Sequence, residues 1–175
     1  MLYLFKLVIS LISVYFLTNL FGHVIHWILH QKWSGYLNKA HMAHHIELYP
    51  PEDYLSYTYR EPDFKESTPK FFAVAAIPLI LLPIILWFIG ILPFTIALIS
   101  IIEMFVIGAI DYYVHDWFHI KNHWINKVPF LNKSFKKWNH LHYLHHIDMN
   151  KNFGIYSFFW DKVFKSYWHT NKYSI

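Results

Sequence analysis

From Phe71 to Ile110 the chain runs forty residues with a single charged side chain, Glu103. A helix rising 1.5 Å per residue needs about 20 residues to cross a hydrocarbon core of about 30 Å. The run is therefore read as two spans. The break is placed at Gly90-Ile91-Leu92-Pro93, where glycine relaxes the backbone and proline cannot continue a helix. Pro78 and Pro83 are expected to kink the earlier of the two. A further span is read at the N-terminus, where residues 2–22 carry one charge, Lys6. That run exceeds the short apolar region of a signal peptide, lacks a small-residue cleavage site and continues into HVIHWILH. The expected fold is all-α: an integral membrane helical protein with about three spans, at 2–25, 71–90 and 93–115, forming one domain over residues 1–175.

Three spans with one tight hairpin place segments 31–70 and 115–175 on the same side. Every Lys and Arg except Lys6 falls in those segments, so the positive-inside rule makes that side cytoplasmic. Charged residues are 15% of the chain against about a quarter in soluble domains, which argues against a soluble enzyme. The net charge of +4 is read as contact with lipid headgroups rather than nucleic acid, because Lys127, Lys133, Lys136 and Lys137 flank apolar aromatic sequence beside the membrane. With no cysteine there is no disulfide, thiolate-ligated haem, iron–sulfur cluster or cysteine zinc site. The five glycines cannot spell a dinucleotide-binding or phosphate-binding loop.

Histidine is the other outlier, 14 of 175 residues. Ten of them form four boxes: His26/His30 and His115/His119 as HxxxH, His41/His44/His45 and His142/His145/His146 as HxxHH. On a helix, residues three and four apart share a face, so each HxxxH is expected to present two imidazoles in one direction and each HxxHH three. Ten neutral nitrogen ligands suit two metals with about five each. Imidazole selects a transition ion over magnesium or calcium, without choosing iron over zinc. Asp111, one turn before His115, is placed to accept its other ring N–H and fix the tautomer, while Asp116 lies about a quarter turn away and is read as a solvent or partner-helix contact. His23 and His140 leave the register of their boxes ambiguous and, with His123, are possible outer partners of the ligands. His169 is read as a surface residue. Glu103 is an intramembrane carboxylate of undecided role.

The four boxes resemble those of the fatty acid hydroxylase and sterol desaturase superfamily of membrane-embedded, non-haem di-metal oxygenases. So do His45-Ile46-Glu47-Leu48-Tyr49-Pro50-Pro51 after the second box and the tail Asn152-Phe153-Gly154 with Phe159-Trp160-Asp161. The resemblance implies two iron ions, zinc being possible in purified protein, and O2-dependent hydroxylation or desaturation of a lipid C–H bond. An acyl chain is favoured as substrate; carotenoid and sterol chemistry in the same superfamily is the alternative, and carotenoid hydroxylases do not share this tail. Oxygen activation takes two electrons, and the chain carries no flavin, haem-attachment or ferredoxin motif, so a separate electron donor is implied. The pattern contains neither the Glu-x-x-His repeats of soluble di-iron bundles nor HExxH or G-x-S-x-G, which argues against the usual hydrolytic machinery. Two rivals remain. A histidine-rich metal transporter would place its site near the bilayer midplane, and a bis-histidine haem protein needs far fewer histidines.

Overall fold

The computed structural model describes residues 1–60 and 68–173, over 68–75 as backbone only. The described residues form α1 (Leu2–Leu29), α2 (Tyr36–Ala43), α3 (Thr68–Phe88), α4 (Phe94–Phe118), α5 (Pro129–Ile147) and α6 (Phe159–Val163). Among them there is no strand beyond a lone bridge between Ser56 and Ile120. The all-α expectation holds. The chain divides into two compact units, Met1–Gly22 with Glu66–Ile110 and His23–Lys65 with Asp111–Ile175.

In the first unit, α1 and α4 are long and apolar enough to cross a membrane, and α3 is apolar over Ala76–Phe88. Pro78 and Pro83 both lie inside α3. The break between α3 and α4 falls where the sequence placed it. Gly90 takes φ +77°, a conformation that costs a residue with a Cβ. The N–H groups of Ile91 and Leu92 turn back onto the Leu86 carbonyl at 2.9 and 3.0 Å, satisfying an otherwise orphaned helix end. Lys6, the lone basic residue of the first run, donates from Nζ to the Ile91 carbonyl at 2.7 Å and so closes the same turn. The exterior of this unit is apolar: Phe5, Phe88 and Phe105 are each more than 60% exposed.

The second unit packs inward. One core gathers Tyr54, Val114, Phe118, Ile125 and Phe135; another gathers Leu141, Leu144 and Phe158 against Trp138 and Trp168. Helix α5 opens with Pro129 at its first turn, where a missing N–H costs nothing, and buries Phe135, Leu141 and Leu144 together with His142, His145 and His146. A helix that buries three imidazoles beside its leucines must supply them with partners. The expected spans stopped at 25 and 115, but the helices run on to Leu29 and Phe118. His26 and His115 are thereby held on regular helix, with His30 and His119 just past its ends.

Candidate metal centre

All ten box histidines converge within the second unit, in two groups. One ring nitrogen from each of His26, His30, His41, His45 and His145 lies within 4.8 Å of all the others in the first group, as do those of His44, His115, His119 and His142 in the second. His146 joins the second group, its Nε2 standing 3.2 Å from that of His142. The expectation that each HxxHH aims three imidazoles one way fails. Every i,i+4 pair (His26/His30, His41/His45, His115/His119, His142/His146) stays together, and the i+3 member of each HxxHH crosses over, His44 to the second group and His145 to the first. The geometry explains the split: at 100° per residue, position i+4 lies 40° from i, whereas i+3 lies 60° from i on the opposite side. A π-helical segment, His44–Leu48, begins at the crossing residue, a rare local widening of the helix.

Backbone carbonyls fix the rings. The Nδ1–H of His26 donates to Phe153 O at 2.7 Å and that of His145 to Lys151 O at 2.6 Å. In the second group His119 Nδ1–H donates to Tyr54 O at 3.1 Å and His146 Nδ1–H to Tyr49 O at 2.7 Å. With Nδ1 protonated, each of these neutral rings carries a bare lone pair on Nε2. Those lone pairs face other imidazole nitrogens: His145 Nε2 stands 3.0 Å from His30 Nε2, and His142 Nε2 stands 3.3 Å from His119 and 3.2 Å from His146. The Nε2 atoms of His26 and His44 are buried without a partner. Burial, reinforced by the neighbouring imidazoles, holds His41, His44, His45, His142 and His145 well below the ordinary histidine pKa, and burial holds His146 at about 3. The rings are therefore neutral at pH 7.

Buried lone pairs without hydrogens between them repel unless a cation sits among them. The nitrogen–nitrogen edges of 3.0 to 3.3 Å match the roughly 3 Å separating ligands at right angles about 2.1 Å from a common centre. The donor set fits two transition ions.

The outer residues fall differently from the sequence expectation. The carboxylate beside His115 is that of Asp116, with Oδ1 3.4 Å from Nδ1, and Asp116 also pairs with the Tyr59 hydroxyl. Among the described residues Asp111 has no hydrogen-bond partner. Helical phase pointed to Asp111, but α4 ends two residues after Asp116, at Phe118, and the Asp116 carboxylate turns back onto its neighbour. His23 lies outside both groups, buried against Phe164 and 3.6 Å from Asp161. His123 stacks on Trp117 and accepts the Ile125 N–H, and His140 donates to Thr170 O at 2.9 Å, so neither touches a box histidine. Glu103 keeps one carboxylate oxygen buried and unpartnered. The residues that sequence reasoning missed are the four carbonyl acceptors of 49–54 and 151–153. A carbonyl has no side-chain signature, and the only signal was that both segments carry motifs adjoining a box.

A family model for fatty acid hydroxylases matches residues 11–166. No curated protein and no solved structure gives a match.

Proposed function

This chain belongs to the fatty acid hydroxylase family, within the fatty acid hydroxylase/sterol desaturase superfamily, and from that premise we propose that it is a membrane-bound di-iron oxygenase acting on a fatty-acyl chain. The observation that carries the reading is the pair of five-imidazole groups with their lone pairs turned inward. His26, His30, His41, His45 and His145 would hold one iron, and His44, His115, His119, His142 and His146 the other. Two iron ions supply, when bound, the one-electron chemistry that lets dioxygen oxidise an unreactive C–H bond. Hydroxylation then consumes dioxygen, two electrons and two protons, and yields the alcohol and water. The chain's own part is to fix ten neutral nitrogens, to keep water from buried rings such as His45, His119 and His142, and to hold the four Nδ1 protons on carbonyl oxygens. An all-nitrogen neutral donor set would leave the positive charge of the bound ions uncompensated by the protein.

The apolar exterior of the first unit and the two span-length helices support a bilayer setting, with α3 as a third span and the histidines on the cytoplasmic side. The two electrons come from a separate donor protein. Expression in a host containing acyl lipids, sterols and carotenoids under 18O2 tests the reading. One labelled oxygen on an acyl chain, lost in His45→Ala and His145→Ala, is the expected result. A new acyl double bond without label would make the enzyme a desaturase, and label on carotenoid or sterol alone would reassign the substrate. Metal uptake with lipids unchanged would replace the oxygenase by a metal carrier.

A further inference from the structure

The carboxylate of Asp161, on α6, is fully buried and touches none of the ten box histidines. Its two oxygens accept from the segments on either side of α6. Oδ1 accepts the Phe153 N–H at 2.8 Å and the Ser166 hydroxyl at 2.7 Å, and Oδ2 accepts the Gly154 N–H at 2.9 Å. Burial opposes its charge, yet His23, Ser166 and Gly154 outweigh burial and hold the carboxyl below its usual range. The Gly154 N–H and the Phe153 carbonyl belong to the same peptide group. That group receives the carboxylate at one end, and at the other its oxygen accepts the His26 Nδ1–H at 2.7 Å. Carboxylate, peptide and imidazole thus form one hydrogen-bonded chain, in which each bond polarises the next. A carboxylate placed directly on a ligating histidine orients the ring and raises its basicity. Here a peptide plane stands between them and passes on both effects.

The loop is built for this arrangement. Asn152 takes φ +54°, which asparagine tolerates better than most residues. Its side chain donates to the Leu141 and Trp168 carbonyls at 3.1 and 2.7 Å and accepts the Trp168 N–H at 2.8 Å. A Cβ on Gly154 would stand 2.2 Å from the Ser157 carbonyl and 2.9 Å from Asp161 Oδ2. Only glycine lets the carboxylate come this close to the backbone.

We propose that Asp161 is a positioning residue for the first metal alone, acting on His26 through the Phe153–Gly154 peptide. The inference rests on the reading of the two histidine groups as metal sites. The test uses full-length protein in detergent, stripped of metal and titrated with cobalt(II), with binding of each equivalent followed by equilibrium dialysis and by the visible spectrum. Wild-type protein should bind two equivalents; if it binds none, the metal-site reading itself fails. Asp161→Asn keeps the shape of the side chain but not two acceptor oxygens. One equivalent should weaken about 10- to 100-fold while the other keeps its affinity and the helical content is unchanged. Both equivalents unchanged, or both weakened alike, overturns the proposal. His26→Ala should remove that same equivalent, identified by its visible spectrum, and loss of the other equivalent instead refutes the route through His26. Should Asp161→Asn not fold, Ser166→Ala removes one of the bonds that orient the carboxylate. It should weaken the same single equivalent by a smaller factor, and no change in that equivalent counts against the proposal.

Discussion

The group of His26, His30, His41, His45 and His145 and the group of His44, His115, His119, His142 and His146 each take two i,i+4 pairs and one histidine lent by the other's box. Their fastenings differ. The first is held from the C-terminal side, by the Lys151 and Phe153 carbonyls, in a loop whose shape depends on Gly154 and a buried carboxylate. The second is held by the Tyr49 and Tyr54 carbonyls, in a segment tied to α4 and α5 by side chains. Tyr49 stacks on His119 at 3.9 Å between ring centroids. The Tyr54 hydroxyl donates to Asn139 Oδ1 at 2.8 Å, and Asn139 donates to Phe118 O at 3.1 Å. One centre therefore depends on backbone geometry and the other on aromatic packing, and substitutions should separate them.

Loss of a box histidine is the largest effect, because it deletes a nitrogen and leaves its neighbours' lone pairs facing a gap. His45→Ala should drop bound metal from two to one by emptying the first group, and His119→Ala should do so by emptying the second. Both should lower oxygenation by more than the roughly 10- to 100-fold that loss of an outer partner costs. Elemental analysis beside 18O incorporation is the check. Loss of both metals from either variant would make the two groups one cooperative centre and break the comparison.

Gly154→Ala comes next. The added methyl would meet the Ser157 carbonyl at 2.2 Å, a clash the loop relieves only by moving, at about 1–3 kcal/mol. The expected outcome is a lower melting temperature with metal depleted in the first group only. On the other side of the comparison, Tyr54→Phe removes the bond to Asn139 but keeps the Tyr54 carbonyl and ring. It should cost about 1 kcal/mol and loosen the second metal slightly, with the first untouched in the same titration.

The sequence made the histidine cluster legible and left its partition hidden. Ten histidines at i, i+3 and i+4 were enough to name every member of both groups, and Gly90 with Pro93 located the α3–α4 turn, because glycine and proline restrict the backbone wherever they stand. Which histidine serves which group was not legible. The 40° and 60° offsets within HxxHH are both small enough to count as one face, and only the tertiary position of the partner helices decides between them. The tail motif offers only a resemblance, with no role for any one residue. Its work is done by peptide groups, which every residue carries, so Asp161 could not be linked to His26 before the loop between them had a shape. His23 shows the limit of spacing: it fits the first box, yet the buried ring sits outside both groups, against Phe164 and 3.6 Å from the Asp161 carboxylate.

The smallest expected effect concerns the carboxylates of α4, and here helical phase and the fold disagree. Phase favours Asp111 as the partner of His115, being one turn away on the same face. The structure sets Asp116 Oδ1 3.4 Å from His115 Nδ1, beyond the usual hydrogen-bond length, with Tyr59 sharing the carboxylate. A long, shared contact orients a ring less firmly than the 2.7 Å carbonyl bonds to His26 and His146. Asp116→Asn should therefore weaken the second metal by no more than about 10-fold, the lower end for an outer partner, and leave the first alone. Asp111→Asn should leave both affinities at the wild-type value, since its carboxylate touches no imidazole. If the cobalt titration instead finds the larger loss in Asp111→Asn, helix phase was the better guide and Asp116 belongs to Tyr59. Equal losses in both variants would assign the effect to the charge of α4 as a whole, acting through space on both metals rather than through one ring.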